Sequence, residues 1–228
     1  MRIIGFISSI ICVFFASGCG INSMRVYTMQ TEDFGANQKS LKKVICIAPN
    51  FKKYTDRDMD NEDYLSSWKL KDKFAKEAES WSKKSGFNYE VYFPSEDAAN
   101  QQAIYTKLLP LRRSLLMAIS NQANSLNETD NSMFSEENKG VFVVNTVLPA
   151  EWSKLSEEFE TPYFSMIEMY ANNNKSFFIH IIADVVKGRI EYQEIRKYSG
   201  LVKPRYIEHV LFDSFRTLKK NLKGGNKK

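Results

Sequence analysis

Cysteine is scarce in this 228-residue chain, and where it falls excludes more than its number does. Cys12 and Cys19 lie in or beside the N-terminal apolar run, which leaves Cys46 as the one thiol in the body of the chain. No internal disulfide framework is possible on that count. Histidine is scarcer still. With only His180 and His209, a zinc site built on three imidazoles cannot form within one chain. A glycine-rich phosphate loop is also missing, since the nearest candidate, Gly224-Gly225, has no strand before it. Nor is there a Gly-x-Ser-x-Gly turn to present a serine nucleophile. After Phe15 no apolar run is long enough to cross a bilayer as a helix. The formal charge of +5 is a modest surplus and gives no reason to expect nucleic acid as a partner. The pattern calls for no metal and no cofactor.

What is present begins at the N-terminus. Arg2 supplies a positive start, Ile3 to Phe15 an apolar run of about 13 residues, and Ala16-Ser17-Gly18-Cys19 an ending of small residues before a thiol. That length suits a cleaved secretory signal and falls short of the ~20 residues of a spanning helix. Small side chains let the backbone enter a signal-peptidase cleft, and the Cys19 thiol is the nucleophile that accepts diacylglycerol and acyl chains such as palmitate. Residues 1–18 are read as a lipoprotein signal and 19–40 as a tether, because Gly20 to Ser40 are polar and without periodicity. Neither Gly20 nor Ile21 is acidic, so nothing marks retention at the inner membrane. The expected location is the outer membrane, lipid-anchored and facing the periplasm.

Residues 41–222 are read as one α/β domain with α+β character, and 223–228 as a basic tail. At 43% hydrophobic and 13% aromatic the chain has enough apolar side chain for a core. Val44 to Ala48 is a continuous apolar run, rich in β-branched residues and ended by Pro49, the pattern of a buried central strand. Helical spacing of apolar residues follows from Tyr64 to Ser85, with Gly86 placed as a left-handed cap. Tyr89 to Phe93 reads as a strand and Ser95 as the N-cap of a second helix, which Pro110 should kink or break before a further run from Leu111 to Leu126. Strands are expected at Val141 to Leu148, Tyr163 to Tyr170, Ser176 to Val186 and Arg189 to Tyr198, with a short helix from Ala150 to Glu158. Asn172-Asn173-Asn174 and Lys187-Gly188 serve as hairpin turns, the second a two-residue turn with glycine at positive φ. A final helix shows one apolar stripe of Ile207, Val210, Leu211, Phe215, Leu218 and Leu222. The order β-α-β-α, then an antiparallel meander, then α, predicts a single mixed sheet with helices packed on it.

Few constellations invite chemistry. Asp56-x-Asp58-x-Asp60-Asn61 opens like a calcium loop, but Ser67 occupies the place of the bidentate acid and Asp63 that of an apolar residue, so the segment reads as a solvated acidic loop. Cys46, inside an apolar strand, reads as a small buried hydrophobe. His180 and Asp184 share a strand face and form a speculative polar pair, two steps apart and too distant for a direct hydrogen bond. An envelope hydrolase or small-ligand-binding protein using a pocket near His180, Asp184 and His209 is the alternative reading. Arg216, Lys219, Lys220, Lys223, Lys227 and Lys228 concentrate charge that could touch anionic headgroups or peptidoglycan carboxylates, but a solvated helix end favoured by the macrodipole explains most of them without a partner.

The segment Phe177 to Gly200, with Ala183-Asp184-Val185-Val186-Lys187-Gly188-Arg189-Ile190 at its turn, resembles the hairpin of the curli-secretion (CsgG-type) and TolB N-terminal-like periplasmic lipoproteins. Val44-Ile45-Cys46-Ile47-Ala48-Pro49-Asn50-Phe51 is similar to the first strand of that group. The resemblance implies a non-enzymatic, membrane-tethered α/β module that associates with other envelope proteins or with copies of itself. It brings no catalytic residues.

Overall fold

The computed structural model describes residues 24–31, 34, 41–53, 64–94, 99–128, 148–171, 175–199 and 206–224. Its centre is one six-stranded mixed sheet in the order β1-β6-β5-β4-β2-β3. The strands are β1 (Met24–Gln30), β2 (Val44–Lys53), β3 (Tyr89–Tyr92), β4 (Tyr163–Ala171), β5 (Lys175–Asp184) and β6 (Arg189–Ser199). The helices are α1 (Tyr64–Ser85), α2 (Ala99–Glu128), α3 (Lys154–Phe159), which follows a 3-10 turn at Ala150–Ser153, and α4 (Ile207–Gly224). β2 runs parallel to both β3 and β4, as a strand–helix–strand crossover requires. The pairs β4–β5, β5–β6 and β1–β6 are antiparallel.

Alternation along each strand builds two cores. Val44 and Cys46 face α1 and α4, while Ile45 and Ile47 face α2 and α3, and all four are fully buried. That double burial explains why the run is continuously apolar and does not alternate. The α1/α4 layer is sealed by Phe74, Ala75 and Ala78 from α1 and by the α4 stripe from Ile207 to Leu222, every member of which is at most 1% exposed. The stripe is therefore where the 3.6-residue period puts it. On the other face Leu108, Leu111 and Leu115 of α2 meet Phe164, Met166 and Ile181.

Gly86 adopts φ +90°, and the Phe87 amide donates to the Ser82 carbonyl at 2.9 Å, closing α1 as a left-handed cap should. Gly188 likewise has φ +64°. The hairpin turn between β5 and β6 is longer than the two residues expected, since it spans Val185 to Gly188. Asp184 closes it by accepting from the amides of Val186 and Lys187 at 3.0 and 2.9 Å.

Three further expectations are corrected. Pro110 does not break the helix, and α2 is continuous from Ala99 to Glu128. Pro110 and Thr106 are both on the exposed side of α2, while Leu108 and Leu111 hold the helix to the sheet. β2 does not stop at Pro49 but continues to Lys53, with its register against β4 shifting between Ile47 and Asn50. A bulge of this kind absorbs a residue that cannot donate to the ladder. The stretch read as a tether contains a strand, because Met24–Gln30 pairs along β6. Its polarity belongs to an edge strand: Val26 and Thr28 are exposed although their cross-strand partners are buried. β2 itself lies inside the sheet, one strand from the edge. The proposed strand at Val141 to Leu148 and the Ser95 cap fall outside the described residues, except that Leu148 is buried and donates its amide to the Gly188 carbonyl.

Candidate functional site

His180 sits in the middle of β5 on the α1/α4 face and has no exposed surface. Its Nε2 is 2.9 Å from the Tyr89 hydroxyl of β3, and its Nδ1 is 2.9 Å from the Ser214 hydroxyl of α4. Ser214 donates to Glu194 Oε2 at 2.8 Å, and Tyr192 donates to the same oxygen at 2.8 Å. Glu194 Oε1 accepts from Arg196 Nε. Arg196 Nη2 then reaches the Asp213 carbonyl at 2.8 Å and the Thr217 hydroxyl at 2.7 Å. Register explains the assembly: Glu194 lies directly opposite His180 on the neighbouring strand, and Ser214 descends from α4 between them.

Hydrogen-bond bookkeeping fixes the tautomer. Ser214 has one hydroxyl proton and gives it to the Glu194 carboxylate, so it must accept from His180 Nδ1–H. Nε2 is then the acceptor of the Tyr89 proton. Donation runs one way, from Tyr89 through His180 and Ser214 to Glu194. Burial, and secondly the Arg196 charge, depress the His180 pKa to about 3, so the ring is neutral at ordinary pH. Burial pushes Glu194 up, and Arg196 with the Tyr192 and Ser214 hydrogen bonds pulls it back. Tyr89, Tyr192 and Phe215 surround the imidazole edge-on, at centroid distances of 5.8, 5.8 and 5.4 Å.

Asp184 is engaged elsewhere. Besides closing its turn, its Oδ2 is 3.8 Å from Lys187 Nζ. Lys187 Nζ also donates to the buried Glu191 at 3.0 Å, as Arg189 Nε does at 3.1 Å and the Thr31 hydroxyl does from the end of β1. His180 and Asp184 thus belong to two different networks, one sealing α4 to the sheet and one closing a hairpin. His180 offers no atom to solvent, and neither network brings it and Asp184 together, as the alternative reading requires. His209 is exposed on α4.

Sequence reasoning missed the rest of the His180 network and a second buried pair. Arg112 Nε of α2 donates to Glu168 Oε1 of β4 at 2.7 Å, on the opposite face of the sheet. A usable signal existed in β6, where Tyr192, Glu194 and Arg196 repeat at period two, a polar row in the strand next to the largely apolar β5. Cys46 is a buried free thiol whose pKa burial raises, as its apolar surroundings predict. Cys19, the Asp56 to Asp60 loop and Lys227 and Lys228 lie outside the described residues. Among the described residues no group of three or more His, Cys, Asp or Glu is placed to hold a metal ion, and no helix is long and apolar enough to cross a membrane.

No family model matches the chain, and no curated protein matches it. Solved structures do. A PelC dodecamer from Paraburkholderia phytofirmans aligns at TM-score 0.37 and 7% identity, covering 88% of this chain and 97% of that one. Lipoprotein GNA1162 from Neisseria meningitidis aligns at TM-score 0.32 and 13% identity, covering 78% and 96%. The C-terminal domain of LpoB from Salmonella enterica aligns at TM-score 0.29 and 10% identity, covering 74% and 94%. Bacterial lipoprotein folds are thus among the structural neighbours, at scores too low to carry an argument about this chain.

Proposed function

We propose that this chain is a lipid-anchored protein of the bacterial envelope, held on the periplasmic side of the outer membrane, whose surface and not a reactive site does its work. It acts as a non-enzymatic accessory or assembly module, associating with other envelope proteins or with its own copies. The observation that carries this reading is the N-terminal series of Arg2, the apolar run to Phe15, and Ala16-Ser17-Gly18-Cys19. Two features of the domain support it. The one histidine in the core spends both ring nitrogens on internal partners. The one cysteine of the domain is buried with its thiol held protonated.

Intact mass of the mature protein tests the anchor. The expected result is a chain beginning at Cys19 with added acyl mass, which detergent but not salt removes from membranes. The Cys19→Ala variant is expected to lose the acyl mass. An unacylated wild-type start would sink the reading. Cross-linking in intact envelopes tests the second half: a strictly monomeric chain that captures no envelope protein contradicts an assembly role.

A further inference from the structure

The α2 face of the sheet is sealed at one end and half open at the other. Ile181, Ala183, Val185 and Ile190 are at most 1% exposed there. Toward the opposite end Phe177, Ile179, Ile195 and Lys197 are only half-buried. A single cross-strand row runs over that end. Arg25 pairs with Lys197, Lys197 with Phe177, Phe177 with Tyr170, and Tyr170 with Lys52. The Lys197 ammonium stands 5.8 Å from the centroid of the Phe177 ring. Of the two rows beyond it, the nearer adds Lys53 on the α1/α4 face and the farther adds Lys175 on the α2 face, and no Asp or Glu falls in any of the three.

This end is also where the chain enters β1. Met24 follows Cys19 by five residues, and an extended chain covers at most about 3.6 Å per residue, so β1 begins within about 18 Å of the anchoring cysteine. Basic side chains close to an anionic bilayer are attracted to it, and aromatic rings settle at the headgroup level. A second copy presenting the same row meets like charge, which opposes a symmetric contact.

We propose that this basic and aromatic end of the sheet rests on the anionic phospholipid surface into which the Cys19 acyl chains insert. The proposal rests on the lipid anchor argued above and adds an orientation: the Met24 end of β1 faces the bilayer, and the Val185 to Gly188 turn points away. The acidic residues from Asp56 to Asp63, which follow β2 in sequence, carry the charge that would compete with lipid for the row.

The test uses the full acylated protein in vesicles of phosphatidylcholine with or without phosphatidylglycerol. A fluorophore is placed on Ser199→Cys at the basic end or on Val186→Cys at the opposite turn, and brominated lipids serve as quenchers. Strong quenching at residue 199 and weak quenching at 186 is expected, dependent on phosphatidylglycerol and reversed by salt. Lys197→Glu should cut the docked-to-undocked ratio about thirtyfold, because it removes one positive charge and adds one negative charge near an anionic surface. Equal quenching at both sites overturns the proposal while leaving the anchor intact. So does indifference to lipid charge, the result expected if the Asp56 to Asp63 segment covers the row. Intact mass on the same preparation separates the two claims, because an unacylated chain overturns both.

Discussion

At the scale of the residue, His180 makes stability depend on pH in a definite sense. Its native pKa of about 3 lies below the ordinary value of 6.5, so between those limits the unfolded chain binds a proton that the native chain refuses. Stability from this group is complete above pH 6.5 and is lost as pH falls toward 3, by a few kcal/mol. The raised Glu194 pKa acts in the opposite sense, so the histidine must be isolated by substitution. Urea midpoints between pH 7 and 4 are expected to fall more steeply for the wild type than for His180→Asn. Equal slopes would mean that the ring titrates in the fold. Glu194→Ala should cost about 3–5 kcal/mol by urea denaturation, because it leaves the Arg196 guanidinium buried without its carboxylate. His180 was visible in the sequence as a polar residue on an apolar strand. Tyr89 and Ser214 were not, since only the folded sheet and α4 bring them to it.

At the scale of the element, local rules succeeded where one interaction dominates and failed where context outweighs propensity. The α4 stripe and the Gly86 cap follow from period and from backbone sterics, and both are present. Gly86→Ala is expected to cost about 1–2 kcal/mol. A Cβ there meets nothing within 4 Å, so the cost comes from the left-handed backbone alone. A loss well above that in the thermal midpoint would point to a packing role instead. Pro110 shows the converse. One missing hydrogen bond on a wet face does not stop a helix whose next turn is pinned by Leu111 and Leu115. β1 escaped notice because an edge strand outside the core needs no apolar alternation, and its partner lies more than 160 residues away.

At the scale of the whole molecule, the mixed sheet was legible from the order of its elements, since a β-α-β unit demands parallel pairing and short turns demand antiparallel pairing. The strand order was not, because nothing local says that β1 joins the far edge or that β4 sits beside β2. Stability should be graded across it. Backbone amides of β4 and β5, interior on both sides, are expected to exchange with deuterium only through global opening, and those of β1 through local fraying. Mass-resolved exchange showing β1 as protected as β5 would contradict this.

The pairing of Met24 with Tyr198 carries a consequence for the order of events in folding. Among the described residues β1 has β6 as its one sheet neighbour, more than 160 residues later in sequence, so it stays unpaired until β6 has been made. The β4–β5–β6 meander can assemble from close neighbours and then serve as the template on which that strand docks. Of the described strands, the earliest in sequence is thus the last to find its neighbour.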